Sequence, residues 1–145
     1  MSGILSSMKF QQPPGMSSLL KKEIDAEISR AVGTLLAGEG GPRLVKLGQP
    51  LGMITGTEAA PAGPKKGKLV AWDPSATDGS QVIHGICLKD IEAAEDVDRV
   101  NGVLYSRRLA VINPAAIIWP AGINDEQKET AAADIEQRLG LILRA

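Results

Sequence analysis

The chain has 145 residues, the scale of one compact domain; 43% are apolar, but only two Trp, one Tyr and one Phe are aromatic, so its core must come from Leu, Ile, Val and Ala. A net charge of −1 argues against a nucleic-acid partner, and the single cysteine, Cys87, rules out an intrachain disulfide, in keeping with synthesis in a reducing cytoplasm. No apolar run approaches the ~20 residues of a membrane-spanning helix, and residues 1–20 lack the basic-then-apolar pattern of a signal peptide.

A lean core of this kind favours added stability from self-association or from a partner. Residues 1–28 read as an extended N-terminal arm, and residues 29–145 as the folded domain. Gln11-Gln12-Pro13-Pro14-Gly15 fits neither a helix interior nor a central strand, because proline lacks the backbone donor. Ile4, Leu5, Met8 and Phe10 precede it, in a segment type that is usually poor in such residues. An apolar, non-globular arm suggests a segment that docks on something. Over residues 17–30 two readings stay open. Ser17-Ser18 could cap a helix carrying Leu20, Ile24 and Ile28, or Ile24, Ala26 and Ile28 could alternate on a strand.

From Arg30 onward short apolar runs alternate with Gly- and Pro-rich turns, the pattern of a small β structure. The expected strands are Val32–Ala37, Leu44–Leu47, Leu51–Thr55, Leu69–Trp72, Val82–Leu88, Val103–Tyr105 and Leu109–Ile112. Residues 57–68 and 92–99 read as loops, and Asp78-Gly79 as a tight turn. Ile117-Ile118-Trp119, closed by Pro120, is a further apolar run. The clearest helix begins at Asn124, with Gln127 at capping-box spacing. Asp125 and Glu126 lie in its first turn, Ala131, Ile135 and Leu139 on one face, and Gly140 at its end. Leu141–Leu143 is expected as a terminal strand. The fold class is therefore mainly β, of the α+β kind, with a short C-terminal helix.

Chemistry-bearing clusters are sparse. His84 is the only histidine and lies in an apolar strand. Together with Cys87 it supplies too few ligands for zinc, and residues three apart on a strand face opposite ways. Glu92, Glu95, Asp96 and Asp98 lack the calcium-loop pattern. Lys65-Lys66-Gly67-Lys68 precedes a strand rather than a helix, which excludes a P-loop. No catalytic residue, cofactor or metal site is expected, and the chain reads as a non-enzyme.

Three segments in order carry a resemblance. They are Leu51-Gly52-Met53-Ile54-Thr55; Lys68-Leu69-Val70-Ala71-Trp72-Asp73 leading into Thr77-Asp78-Gly79; and Ile117-Ile118-Trp119-Pro120-Ala121-Gly122 running into Asp125-Glu126-Gln127-Lys128. Their order and spacing over residues 29–145 resemble the bacteriophage lambda-type head decoration proteins. The resemblance implies a β-clip-like domain and a homotrimer on the outer surface of the expanded capsid, at threefold and quasi-threefold positions. The role it implies is mechanical: bridging copies of the major capsid protein against DNA pressure, without cofactor, nucleic acid or membrane. On that reading Ile4, Leu5, Met8, Phe10, Pro13 and Pro14 of the arm bind the capsid. Trp72, Ile86, Ile118, Trp119 and Pro120 serve core or trimer packing. The alternative is a tail or fibre-tip β module of a virion.

Overall fold

A computed structural model describes residues 16–56, 59–60 and 63–144. The chain runs from a helical turn, α1 (Met16–Leu19), into strand β1 (Leu20–Glu23). A second turn, α2 (Ala26–Ser29), leads into β2 (Arg30–Leu35). Then come β3 (Arg43–Val45), β4 (Pro50–Met53), β5 (Ala59–Ala60), β6 (Gly63–Pro64), β7 (Leu69–Ala71), β8 (Ile83–Cys87) and β9 (Ile91–Ala93). β10 (Arg99–Ser106), β11 (Ala110–Ile112), a 3-10 turn (Pro114–Ala116), helix α3 (Asp125–Asp134) and β12 (Leu141–Leu143) complete it. The mainly β expectation with one short C-terminal helix holds.

Five strands close a barrel in the order β10-β2-β7-β4-β8, with β8 returning to β10 through Tyr105↔Cys87 and Ser106↔Ile86. Closure leaves these strands no free edge. Beside it lies a three-stranded sheet, β1-β11-β12, in which β12 runs parallel to β11 and β1 antiparallel to it. β3 pairs with β9, and β5 with β6.

Two large apolar clusters divide the interior, beside a third small one of Leu36, Ile54 and Val70. The larger joins Met16 and Leu19 to Trp72, Ile83, Ile86, Ile112, Ile135 and Leu141. It therefore ties both ends of the described chain to the barrel wall. The smaller fills the barrel with Leu35, Leu51, Leu69, Cys87, Val103 and Tyr105. Strand β8 feeds both: Ile86 and Cys87 face opposite ways, and a register shift against β4 between Ile83 and Gly85 interrupts the alternation, so that Ile83 joins Ile86.

The sequence left 17–30 open between helix and strand, and the chain uses both: α1, then β1, then α2. Asp25 starts α2 by accepting from the Glu27 amide at 2.9 Å. Residues 16–28, expected as the second half of an arm, pack with the domain: Leu19 is fully buried and β1 pairs with β11. Ile24 and Ile28 face outward instead of sharing a buried stripe. The expected loop at 92–99 is shorter than the charge pattern suggested, since Glu92 lies opposite Leu44 in the β3–β9 pair and Arg99 opens β10. Ile117–Trp119 forms no strand; Asn113 caps the turn before it, and Ile118 hydrogen-bonds to Gly48. Val82 is exposed and precedes β8 rather than belonging to it.

The helix is built as expected. Asn124 and Gln127 form a reciprocal capping box, with bonds of 2.8 and 3.0 Å. Beyond Asp134 the helix widens into a π turn (Ile135–Leu139) and ends at Gly140, whose φ of +69° suits glycine. Arg138 pairs with Asp134 and also donates to the Ile83 carbonyl, which fastens the helix end to β8.

One buried group is unsatisfied. Ser106 Oγ is sealed inside with no hydrogen-bond partner among the described residues. A buried, unpaired hydroxyl carries a desolvation cost of ~1–3 kcal/mol. Ser106→Ala is therefore expected to stabilise the protein by about 1 kcal/mol, read as a higher urea midpoint at unchanged slope. A lower midpoint would show that the hydroxyl has a partner.

Candidate functional site

The two tryptophans form a corner that sets the helix against the barrel. Trp72 is buried, and its indole N–H donates to the Gln81 carbonyl at 2.7 Å. Its amide donates to the Pro50 carbonyl at 2.9 Å, extending β7 beyond Ala71. Trp119 meets Trp72 edge to face, with ring centroids 6.2 Å apart and planes at 70°, the geometry an aromatic quadrupole favours. Pro120 then leads through a turn, Ile123 N–H to Pro120 carbonyl, into the Asn124 cap.

The neighbouring Thr77-Asp78-Gly79 turn is a structural clamp. Asp78 accepts from the Ser80 amide and hydroxyl at 3.0 and 2.5 Å, and these bonds hold its carboxyl below the ordinary carboxylate range. Its carbonyl takes the Thr55 amide at 2.8 Å. Gly79 has φ +106°, and a Cβ there would lie 2.5 Å from Thr55 Oγ1. Only glycine suits that position without strain.

Of the residues expected to pack the core or a trimer contact, Trp72 and Ile86 lie in the larger cluster. Trp119 is half-buried against it and Pro120 is half-buried. Ile118 is not in the core; 44% of it is exposed. The arm residues Ile4, Leu5, Met8, Phe10, Pro13 and Pro14 lie outside the described residues.

His84 and Cys87 are each engaged elsewhere. His84 Nε2 meets the Tyr105 hydroxyl at 3.1 Å, while the Cys87 thiol donates to the Lys89 carbonyl at 3.0 Å. Burial, together with the charges of Arg138 and Arg107, lowers the imidazole from its ordinary value. Burial pushes the thiol up to about 11, so almost none of it is the reactive thiolate at neutral pH. Two lysines of the basic loop also have structural partners: Lys65 pairs with Glu39 at 3.0 Å, and Lys68 with Asp98, which also caps the Ala37 amide at 2.8 Å. Among the described residues no group of three or more His, Cys, Asp or Glu could hold a metal.

What the surface offers instead is apolar area. Ile24, Leu109 and Ile142 stand exposed beside Val111 on the outer face of the β1-β11-β12 sheet, with Lys22 and Arg144 at the rim. Sequence reasoning missed this face. The only signal was Ile142, whose alternation with Leu141 and Leu143 already turns it away from the core.

Exposed apolar side chains, rather than a cluster of titratable groups, are the feature of this surface among the described residues. A family model, bacteriophage lambda head decoration protein D, matches residues 9–141. The chain belongs to that family. The match extends back to residue 9, further than the likeness visible over residues 29–145. Its role is decoration of a phage capsid, and the family is one of structural proteins of the phage head. No curated protein matches the chain. For this decoration-family chain the Thr-Asp-Gly turn and the Trp-Pro corner hold the fold together.

Trp72→Ala should destabilise the domain by about 3–5 kcal/mol, a large share of the ~5–15 kcal/mol typical of a domain. Trp72→Phe keeps most of the packing and loses the bond to Gln81, so about 1 kcal/mol is expected. Chemical denaturation of both variants checks the order. An Ala variant as stable as the parent would place Trp72 outside the core.

Proposed function

We propose that the chain acts as a homotrimeric cement protein on the outer surface of the expanded phage head. It sits at threefold and quasi-threefold positions, bridges neighbouring major capsid proteins and stabilises the shell against the pressure of packaged DNA. The observation that carries this reading is the family match over residues 9–141. It is supported by a core split into small clusters, by exposed apolar side chains, and by a histidine and a cysteine tied into structural bonds. The role is mechanical and not enzymatic.

The anchor in this reading is the N-terminal arm. Ile4, Leu5, Met8 and Phe10 are apolar, and Pro13-Pro14 stiffens the approach to the domain. An extended peptide adds a strand to the free sheet edge of a partner, and the major capsid protein supplies that edge. Ordering the arm costs ~1–2 kcal/mol per residue in backbone entropy, so one arm binds weakly. Three arms on one trimer bind with avidity raised ~10²–10⁴-fold.

The topology supports a choice of the end that meets the shell. The Leu19 carbonyl accepts from the Asn113 amide at 2.8 Å, and the Arg144 amide donates to the Ile112 carbonyl at 2.9 Å. The arm therefore joins the domain at the same end of the three-stranded sheet as residue 144. That end, with the Pro114–Ala116 turn and exposed Ile118 close by, faces the capsid in this reading.

Deletion of residues 1–15 tests the anchor. Met16 and Leu19 remain to fill the larger cluster, so the truncated protein should keep its melting temperature and its oligomeric state. It should fail to cosediment with undecorated expanded capsids that the full chain saturates. Saturation with parental affinity would move the binding face onto the globular domain.

A further inference from the structure

The outer face of the three-stranded sheet is apolar where a sheet with one buried face usually turns polar side chains to water. Ala110, Ile112 and Leu141 fill the inner side. On the outer side Ile24, Leu109, Val111 and Ile142 line a depression of about 300 Å³, and Ile24 is 71% exposed. Lys22 and Arg144 stand at its rim without an acidic partner among the described residues. The nearest rim carboxylate, Glu23, is held by Arg30 at 2.7 Å.

A groove of about 590 Å³ also borders the larger cluster, through Trp72, Ile83 and Ala131. Trp72, Pro74 and Ile83 form one wall, and Glu126, Thr130 and Ala131 of α3 the other. The helix carries Asp125, Glu126, Glu129 and Asp134 against one cation, Lys128, but Arg138 holds Asp134, so Glu126 is the carboxylate left on the groove's rim. One surface is thus apolar with a cationic rim, and the other is partly apolar with an anionic rim.

That difference disfavours a twofold contact and suits a head-to-tail one, of the kind a cyclic trimer uses. A twofold contact places a patch against itself, and a cation-rimmed patch placed so meets like charge. A cyclic trimer instead joins two different patches on successive copies, where these two have opposite sign. We propose that the outer sheet face of each copy, centred on Ile24 with Lys22 at its rim, docks into the groove between α3 and Trp72 of the next copy. This contact closes the ring. The inference rests on the homotrimer reading and names the surfaces that form it. Ile24 then fills the apolar floor of the groove, and Lys22 faces Glu126 on its rim.

Cysteine trapping on the full chain tests this. In the double variant Ile24→Cys/Thr130→Cys, mild oxidation should give covalent species that stop at three copies on a non-reducing gel. Neither single variant should cross-link, and buried Cys87 stays unreactive. Lys22→Glu and Glu126→Lys should each weaken the trimer at least tenfold in sedimentation, and the two together should recover most of that loss. A trimeric parent whose double variant does not cross-link overturns the proposed surfaces and leaves the homotrimer standing. Cross-linking of Ile24→Cys alone, a ladder running past three copies, or an unaltered trimer in Lys22→Glu overturns them equally. A parent that sediments as a monomer overturns both the homotrimer and this contact.

Discussion

Strand β8 is the wall between the two interiors. Ile83 and Ile86 enter the cluster that binds the chain ends, while Cys87 enters the cluster that fills the barrel. It also carries two ladders, to β4 and to β10, so loss of its packing would open the barrel and release the three-stranded sheet together. The shared wall follows from composition. With four aromatic residues in 145, no single cluster can be large, and a fold of two small cores needs one element common to both. The helix is tied to the same wall, since Arg138 donates to the Ile83 carbonyl and Ile135 packs in the larger cluster.

Much of this architecture was legible because the local signals and the tertiary contacts agree. Asn124 with Gln127 reads as a capping box and is one. Gly140 reads as a stop and sits at positive φ. Leu69–Trp72 alternates with turn residues on either side and becomes β7 and its extension. The signals failed where elements are too short to show a period. Residues 16–29 hold a helical turn, a four-residue strand and another turn, and no element there spans two turns of helix or five strand positions. Glu92 misled because its charge suggested a loop, yet its side chain faces water from a strand whose neighbours Ile91 and Ala93 face inward. Ile118 misled in the other direction: its apolar run supplies Ile117 and Trp119 to the interior while Ile118 points out.

The proposed docking surface was less legible than the fold for a related reason. Catalytic sites announce themselves through residue types at set spacings, but a docking face is made of ordinary apolar residues from distant segments. Ile24, Leu109 and Ile142 meet only because β1, β11 and β12 pair. Conversely, the residue types that drew attention in the sequence, His84 and Cys87, are bonded to Tyr105 and to the Lys89 carbonyl, and burial raises the thiol to about 11. A closed barrel carrying a sheet with an apolar outer face is suited to bearing load between partners, which accords with a capsid decoration role.

The claim on which the account depends is that this chain occupies the outer surface of an expanded phage head as a trimer. A cryo-EM reconstruction of undecorated expanded capsids incubated with the full chain tests it most directly. The account predicts added trimeric knobs at threefold and quasi-threefold positions, with the end carrying residues 16 and 144 toward the shell. Capsids without added density, or density confined to other positions on the particle, would contradict it.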